Sequence, residues 1–177
     1  MEYYTHQKFL DFYLKNTTGP ILELGTGLGS TSVATKYIND DRFLVSVDNN
    51  IEWIEKMKQD YPESNNHKYV YTTNWNETIN TLTTINWSIV FIDQSPWEAR
   101  VLSYSAFKNI SDYVIIHDVD YFPKRGIFGT MISETEFDFS AEFKNWKLYY
   151  PEKPWPSPTG PPTLVGTNRD NFIEYKE

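Results

Sequence analysis

The stretch Ile21-Leu22-Glu23-Leu24 runs straight into Gly25-Thr26-Gly27-Leu28-Gly29, and this junction constrains the fold more than any other feature of the chain. Alternating glycines directly after a short apolar run fit a strand that turns sharply into a helix, with the turn's backbone open to close approach by a ligand. The spacing is G-x-G-x-G. A dinucleotide fingerprint, G-x-G-x-x-G, needs glycine at position 30, where Ser30 stands, so a nicotinamide cofactor is disfavoured. Ser30 or Thr31 is expected to cap the following helix, whose free amides suit a nucleoside carrying a carboxylate. Glu23, Gly25, Thr26, Gly27, Gly29, Ser30 and Thr31 are therefore the first candidate ligand contacts.

Short apolar runs with helix-like segments between them continue down the chain, the pattern of a parallel sheet built from strand–helix units. Strands are predicted at 21–24, 43–48, 68–72, 88–93 and 113–118, and helices at 5–16, 30–38, 51–61, 77–82 and 97–109. Ile51, Ile54 and Met57 mark the inward stripe of the third helix. Asp48 closes the second strand, 23 residues after Gly25, where a carboxylate can accept hydrogen bonds from both hydroxyls of a ribose, with Asn49 beside it as a further candidate cofactor contact; the bland alternative is a cap for the next helix, a role Asn49 or Asn50 could also take. Beyond Asp120 the pattern changes to Pro/Gly punctuation. The aromatic run 143–150, six prolines between Pro151 and Pro162, and the apolar run 163–167 read as a terminal antiparallel strand pair joined by a stiff loop.

The motifs Glu23–Gly29 and Val45-Ser46-Val47-Asp48 resemble the first two motifs of the class I S-adenosylmethionine (SAM)-dependent methyltransferases, and the resemblance spans 21–120. It implies an α/β fold: a Rossmann-like, doubly wound, mostly parallel seven-stranded sheet with an antiparallel C-terminal strand and helices on both faces. It also implies SAM as cofactor, and places Asn74 and Trp75 where adenine is contacted in that family. One domain is expected over 1–177, with an N-terminal helix inside 1–20 and the proline-rich loop at 151–162.

Ser88-Ile89-Val90-Phe91-Ile92-Asp93 and Tyr113-Val114-Ile115-Ile116-His117-Asp118 bring carboxylates to the tips of the fourth and fifth strands. Neighbouring strands lie about 5 Å apart, so Asp93 and Asp118 can converge. Extended backbone would turn Asp118 and Asp120 to one side and His117 to the other. The pair resembles catechol-type O-methyltransferases, in which such an Asp and an Asp-Asn pair hold a divalent metal. Here Val119 takes the Asn position, so the resemblance implies Asp93, Asp118 and either Asp120 or His117 as ligands for Mg²⁺ or Mn²⁺, oxygen-rich sites favouring such ions. The metal-free reading makes Asp93 or His117 the general base, with Asp93, His117 and Asp118 as candidate catalytic residues.

A net charge of −8 disfavours nucleic acid as partner, because that affinity rests on neutralising phosphates. The absence of cysteine removes thiolate chemistry and Cys-based zinc sites. Neither a basic-then-apolar leader nor a run of roughly 20 apolar residues is present, so a cytoplasmic, non-membrane protein is expected. With little chain ahead of the first strand, the acceptor site is expected to be open, walled by 120–129 and the proline-rich loop with Trp155. A hydroxyl of a sugar or small molecule is the expected acceptor. Asp93-Gln94-Ser95-Pro96-Trp97 partly echoes the Asn/Asp-Pro-Pro-aromatic motif of amino-methyltransferases, which keeps N-methylation of a base or protein as the alternative, beside a non-catalytic binding module.

Overall fold

The computed structural model describes residues 4–119, 138–151 and 162–176. Asp120, the segment 122–129 and the loop around Trp155 lie outside the described residues. The elements are α1 (Gln7–Lys15), β1 (Ile21–Leu24), α2 (Leu28–Ala34) running on into a 3₁₀ turn (Thr35–Tyr37), β2 (Leu44–Asp48) and α3 (Ile51–Asp60). They continue with β3 (His67–Tyr71), α4 (Trp75–Leu82), β4 (Trp87–Ile92), α5 (Trp97–Phe107), β5 (Ser111–Ile116), β6 (Asn145–Tyr149) and β7 (Thr163–Thr167).

The seven strands form one sheet in the order β3-β2-β1-β4-β5-β7-β6. β1 to β5 are parallel, while β7 runs antiparallel to both β5 and β6. The expected terminal antiparallel pair is therefore present, with the later strand inserted on the inside. β1, β4 and β5 are buried along their whole length, or nearly so, which is why apolar residues fill most of their positions without a regular polar alternation. Leu22, Val90, Ile92 and Val114 face Trp75, Ile79, Ala99 and Phe107 on one side. Ile21, Ile89, Phe91 and Ile115 face Phe9, Leu10, Tyr13 and Val33 on the other. Helices thus cover both faces, and the order of strands reverses between β1 and β4, which opens a crevice at their carboxyl ends.

Several boundaries differ from expectation for local reasons. α2 starts at Leu28 with Gly27 at its N-cap, so Ser30 and Thr31 lie inside the helix rather than capping it. α4 starts at Trp75 because the Asn74 side chain accepts from the backbone N–H groups of Asn76 and Glu77. Asn50, not Asp48 or Asn49, caps α3, accepting from Trp53 N–H at 3.0 Å. Ile51 is 45% exposed and stands outside the buried stripe of Ile54 and Met57. β5 ends at Ile116, two residues short of Asp118, whose φ of 50° is left-handed.

Candidate active site

The glycine turn sits at the tip of β1, and its glycines have different tasks. Gly25 has a φ of 88°, and a Cβ there would lie 2.6 Å from the backbone carbon and oxygen of Asp93. Its smallness lets the ends of β1 and β4 come together. Gly29 makes room for Tyr4 and His6, and its carbonyl accepts from the Gln7 side-chain amide at 2.9 Å, which ties α1 to the turn. Gly27 is extended, and a Cβ there would meet nothing closer than Ser30 Oγ at 3.7 Å. The backbone is therefore open to approach at Gly27.

Asp48 stands beside the turn, 8% exposed. Its Oδ2 accepts from Thr26 N–H at 2.9 Å and from the Thr26 hydroxyl at 3.2 Å, and its Oδ1 accepts from Asn50 N–H at 2.8 Å. The carboxylate is held in one orientation, with lone pairs left over for further donors. Trp53, which the sequence patterns did not single out, reaches back from α3 and donates its indole N–H to Thr26 O at 2.7 Å. Asn49 is exposed next to Asp48. Asn74 Oδ1 caps α4 from an exposed position, and Trp75 is buried with its indole N–H on Ser95 O at 2.9 Å.

Glu23 lies beneath the turn, 1% exposed. Its carboxylate accepts from Ser46 Oγ at 2.6 Å and from Thr31 Oγ1 at 2.8 Å, and Ser46 Oγ also meets His67 Nε2 at 3.0 Å. Burial pushes the Glu23 carboxyl up to about 7, against the pull of hydrogen bonds from Ser30, Ser46 and Thr31 and with help from the charge of Asp48. Burial likewise brings His67 down to about 4. Glu23, Ser30 and Thr31 therefore support the turn from below.

At the tips of β4 and β5, Asp93, His117 and Asp118 converge, with one potential ligand atom from each lying within 4.8 Å of the others. His117 Nδ1 is 3.3 Å from Asp93 Oδ1, and His117 Nε2 is 3.3 Å from Asp118 Oδ1 and 3.1 Å from Thr5 Oγ1. The expectation that Asp118 and His117 point to opposite sides is corrected here: the left-handed backbone at Asp118 breaks strand alternation and brings both side chains to one cluster. His117 is 5% exposed, whereas the Asp93 and Asp118 side chains are 29% and 24% open. The buried His6 ring stands edge-on to His117, 4.4 Å between centroids.

Arg100 completes the cluster from the buried side of α5. Its Nη2 donates to Asp93 Oδ1 at 2.9 Å, its Nη1 to His117 O at 2.7 Å and its Nε to Gln94 O at 2.8 Å. The guanidinium also lies 3.9 Å from the centre of the Trp97 ring. Motif reading passed over Arg100. Its signal was a lone cation in a helix, three residues after a Trp and seven after Asp93.

Burial works against charge on all three cluster residues, and neighbours decide the outcome. For His117, the hydrogen bond and charge of Asp93 and the charge of Asp118 outweigh burial and hold the imidazolium above its ordinary range. For Asp93, His117 and Arg100 overcome burial and hold the carboxyl below the usual carboxylate range. For Asp118, burial and the repulsion of Asp93 raise it. Pairs of groups driven apart in this way are typical of sites that move a proton.

No family model and no curated protein matches the chain. Solved structures do. A candidate O-methyltransferase from Klebsiella pneumoniae superposes with a TM-score of 0.63 at 14% identity, over 93% of this chain and 80% of that one. A methyltransferase from Geobacter sulfurreducens gives 0.54 at 14% identity, over 92% and 77%. Spermidine synthase from Thermotoga maritima gives 0.57 at 12% identity, over 95% and 60%. At such identities the likeness establishes the fold, and a fold shared with a spermidine synthase leaves the transferred group to be argued from the site itself.

Proposed function

We propose that this chain, which has the fold of the class I SAM-dependent methyltransferases, is itself a SAM-dependent methyltransferase acting on a hydroxyl of a small molecule or sugar. The observation that carries the reading is the Asp93–His117 couple set at the strand tips beside the glycine turn. The residues suited to hold the cofactor are Gly27, where the backbone is open, Asp48, fixed to receive a ribose, and Thr26 with Trp53 between them. When bound, SAM supplies an electrophilic methyl group on a sulfonium; the protein's tasks are alignment and removal of one proton.

His117 is suited to take that proton. With Nδ1–H donated to Asp93, His117 Nε2 carries the lone pair, and the Thr5 hydroxyl donates to it from the place an acceptor hydroxyl would take. Asp118, more open than His117, can receive the acceptor's hydroxyl at the mouth. An acceptor amine fits less well. The Gln94 side chain is turned inward, its Oε1 accepting from Ser103 Oγ at 2.9 Å, and Asp93 is engaged by Arg100 and His117. Gln94, 1% exposed, is closed to an acceptor amine, and Asp93 Oδ1 already carries two cationic partners.

Isothermal titration with SAM and its demethylated product tests the cofactor. Transfer of a labelled methyl group across a panel of sugars, phenols, amines and peptides tests the acceptor. Absence of binding to either cofactor form refutes the reading, and transfer confined to amines refutes its hydroxyl half.

A further inference from the structure

We propose that Arg100 takes the place of a divalent cation in this site: its guanidinium is the resident positive charge that orients Asp93 and His117, and the site works on its acceptor without metal. Three side chains of ligating type do converge here, as the motif pattern implied. Asp93 Oδ1 is however already shared by Arg100 Nη2 at 2.9 Å and His117 Nδ1 at 3.3 Å. A cation coordinated by Asp93 sits roughly 2.0–2.6 Å from its oxygen. That would bring two positive centres close together in a site where Arg100 is 5% exposed and water screens poorly. A guanidinium stays protonated across the working pH range, so it cannot yield to the metal by losing its charge.

The rest of the donor set points the same way. The residue between Asp118 and Asp120 is Val119, wholly buried and without a donor atom. Both nitrogens of His117 are engaged, Nδ1 by Asp93 and Nε2 by Thr5 and Asp118. Arg100 moreover does what a bridging ion does for geometry. Its other two donors grip the carbonyls of Gln94 and His117, one past the end of each neighbouring strand, so a single planar group sets both tips in register. Packing against Trp97 holds that plane. Arg100 is thus a positioning residue, and without a Lewis acid to ionise the acceptor its proton must pass to a protein base. Metal exclusion needs nothing from the transferase reading, whereas the handling of the acceptor rests on it.

The decisive measurement is a titration with Mn²⁺ followed by electron paramagnetic resonance, on the wild-type chain, Asp93→Asn, Arg100→Gln and Arg100→Lys. Wild type and Asp93→Asn are expected to bind Mn²⁺ equally weakly. Removing the guanidinium in Arg100→Gln is expected to raise Mn²⁺ affinity at least about tenfold, and Arg100→Lys to behave as wild type. Stoichiometric Mn²⁺ binding by wild type that disappears in Asp93→Asn overturns the proposal, and that comparison stands even where Arg100→Gln does not fold. A folded Arg100→Gln with no gain in affinity also overturns it. In turnover assays EDTA is expected to leave wild-type rate unchanged, and Arg100→Gln, but not Arg100→Lys, to move the pH profile. Loss of SAM binding in titration would remove the transferase reading while leaving the Mn²⁺ outcome to decide the site's cation.

Discussion

Gly25→Ala and Gly27→Ala should have opposite effects, although both glycines belong to one short motif. At Gly25 an alanine must adopt a φ of 88°, which costs about 1–2 kcal/mol, and its Cβ must fit 2.6 Å from the Asp93 backbone. Overpacking against a main chain that cannot swing aside adds about 1–3 kcal/mol. The sum, about 3 kcal/mol, is a large share of a typical stability of about 5–15 kcal/mol and corresponds to a fall in melting temperature of roughly 6–12 °C for a chain of this size. At Gly27 the backbone is extended and the Cβ position is open, so stability should stay within about 0.5 kcal/mol of wild type or rise slightly. The loss there should appear in binding, with affinity for the demethylated cofactor falling about tenfold or more. Differential scanning calorimetry paired with isothermal titration reads both quantities on the same samples. Equal melting losses in the two variants, or a Gly27→Ala that binds as wild type, would refute this division of labour.

Other outcomes follow from the same structure. Because His117 is held above its ordinary value of 6.5 and must be neutral to accept a proton, kcat/KM should rise with pH through that raised value, and Asp93→Asn should move the rise to lower pH while reducing kcat. Its contribution to stability has the opposite sense: it is fully present below 6.5 and is lost as pH rises through the folded value. Glu23, raised from 4.5 to about 7 by burial, contributes stability below pH 4.5 that is lost as pH rises through 7, on the order of 3 kcal/mol. Denaturant melts should therefore show Glu23→Gln gaining on wild type between pH 5 and pH 8, and parallel curves would count against it. Arg42 bonds Leu14 O, Thr17 O, Thr17 Oγ1 and Ser88 Oγ from a buried position. Arg42→Met should cost about 3 kcal/mol in denaturant unfolding, through stranded carbonyls, and leave cofactor affinity unchanged.

The layered architecture and the ligand-bearing edge of the sheet were legible in the chain because both rest on near neighbours. Short strands buried on both faces are filled mostly by apolar residues and do not alternate, so β1, β4 and β5 announce themselves as central parallel strands. A carboxylate or glycine that ends such a strand comes to the carboxyl edge whatever the rest of the molecule does, which assigns Asp48, Asp93 and the glycine turn to one edge of the sheet. Helix starts were less legible. Asn74 and Asn50 claim the caps only because their side chains win a local competition for backbone N–H groups that composition does not display.

Periodicity also misjudged Asp118. It assumes the strand continues, and β5 stops at Ile116; one left-handed residue then puts Asp118 on the same side as His117. Arg100 was invisible for a different reason, since its three partners lie 6, 7 and 17 positions away and follow the ends of two strands brought together by the sheet. Thr5 is joined to His117 across 112 positions.

By itself the amino-acid sequence determined the class of fold, the turn at β1 and the carboxylates at the strand ends, because spacing of apolar and glycine residues acts over a few positions. Only the tertiary structure decided which glycine faces open space, that β7 slides between β5 and β6, and that a guanidinium occupies the acidic cluster. Those outcomes depend on atoms far apart along the chain, whose meeting is set by how the layers pack rather than by any local preference.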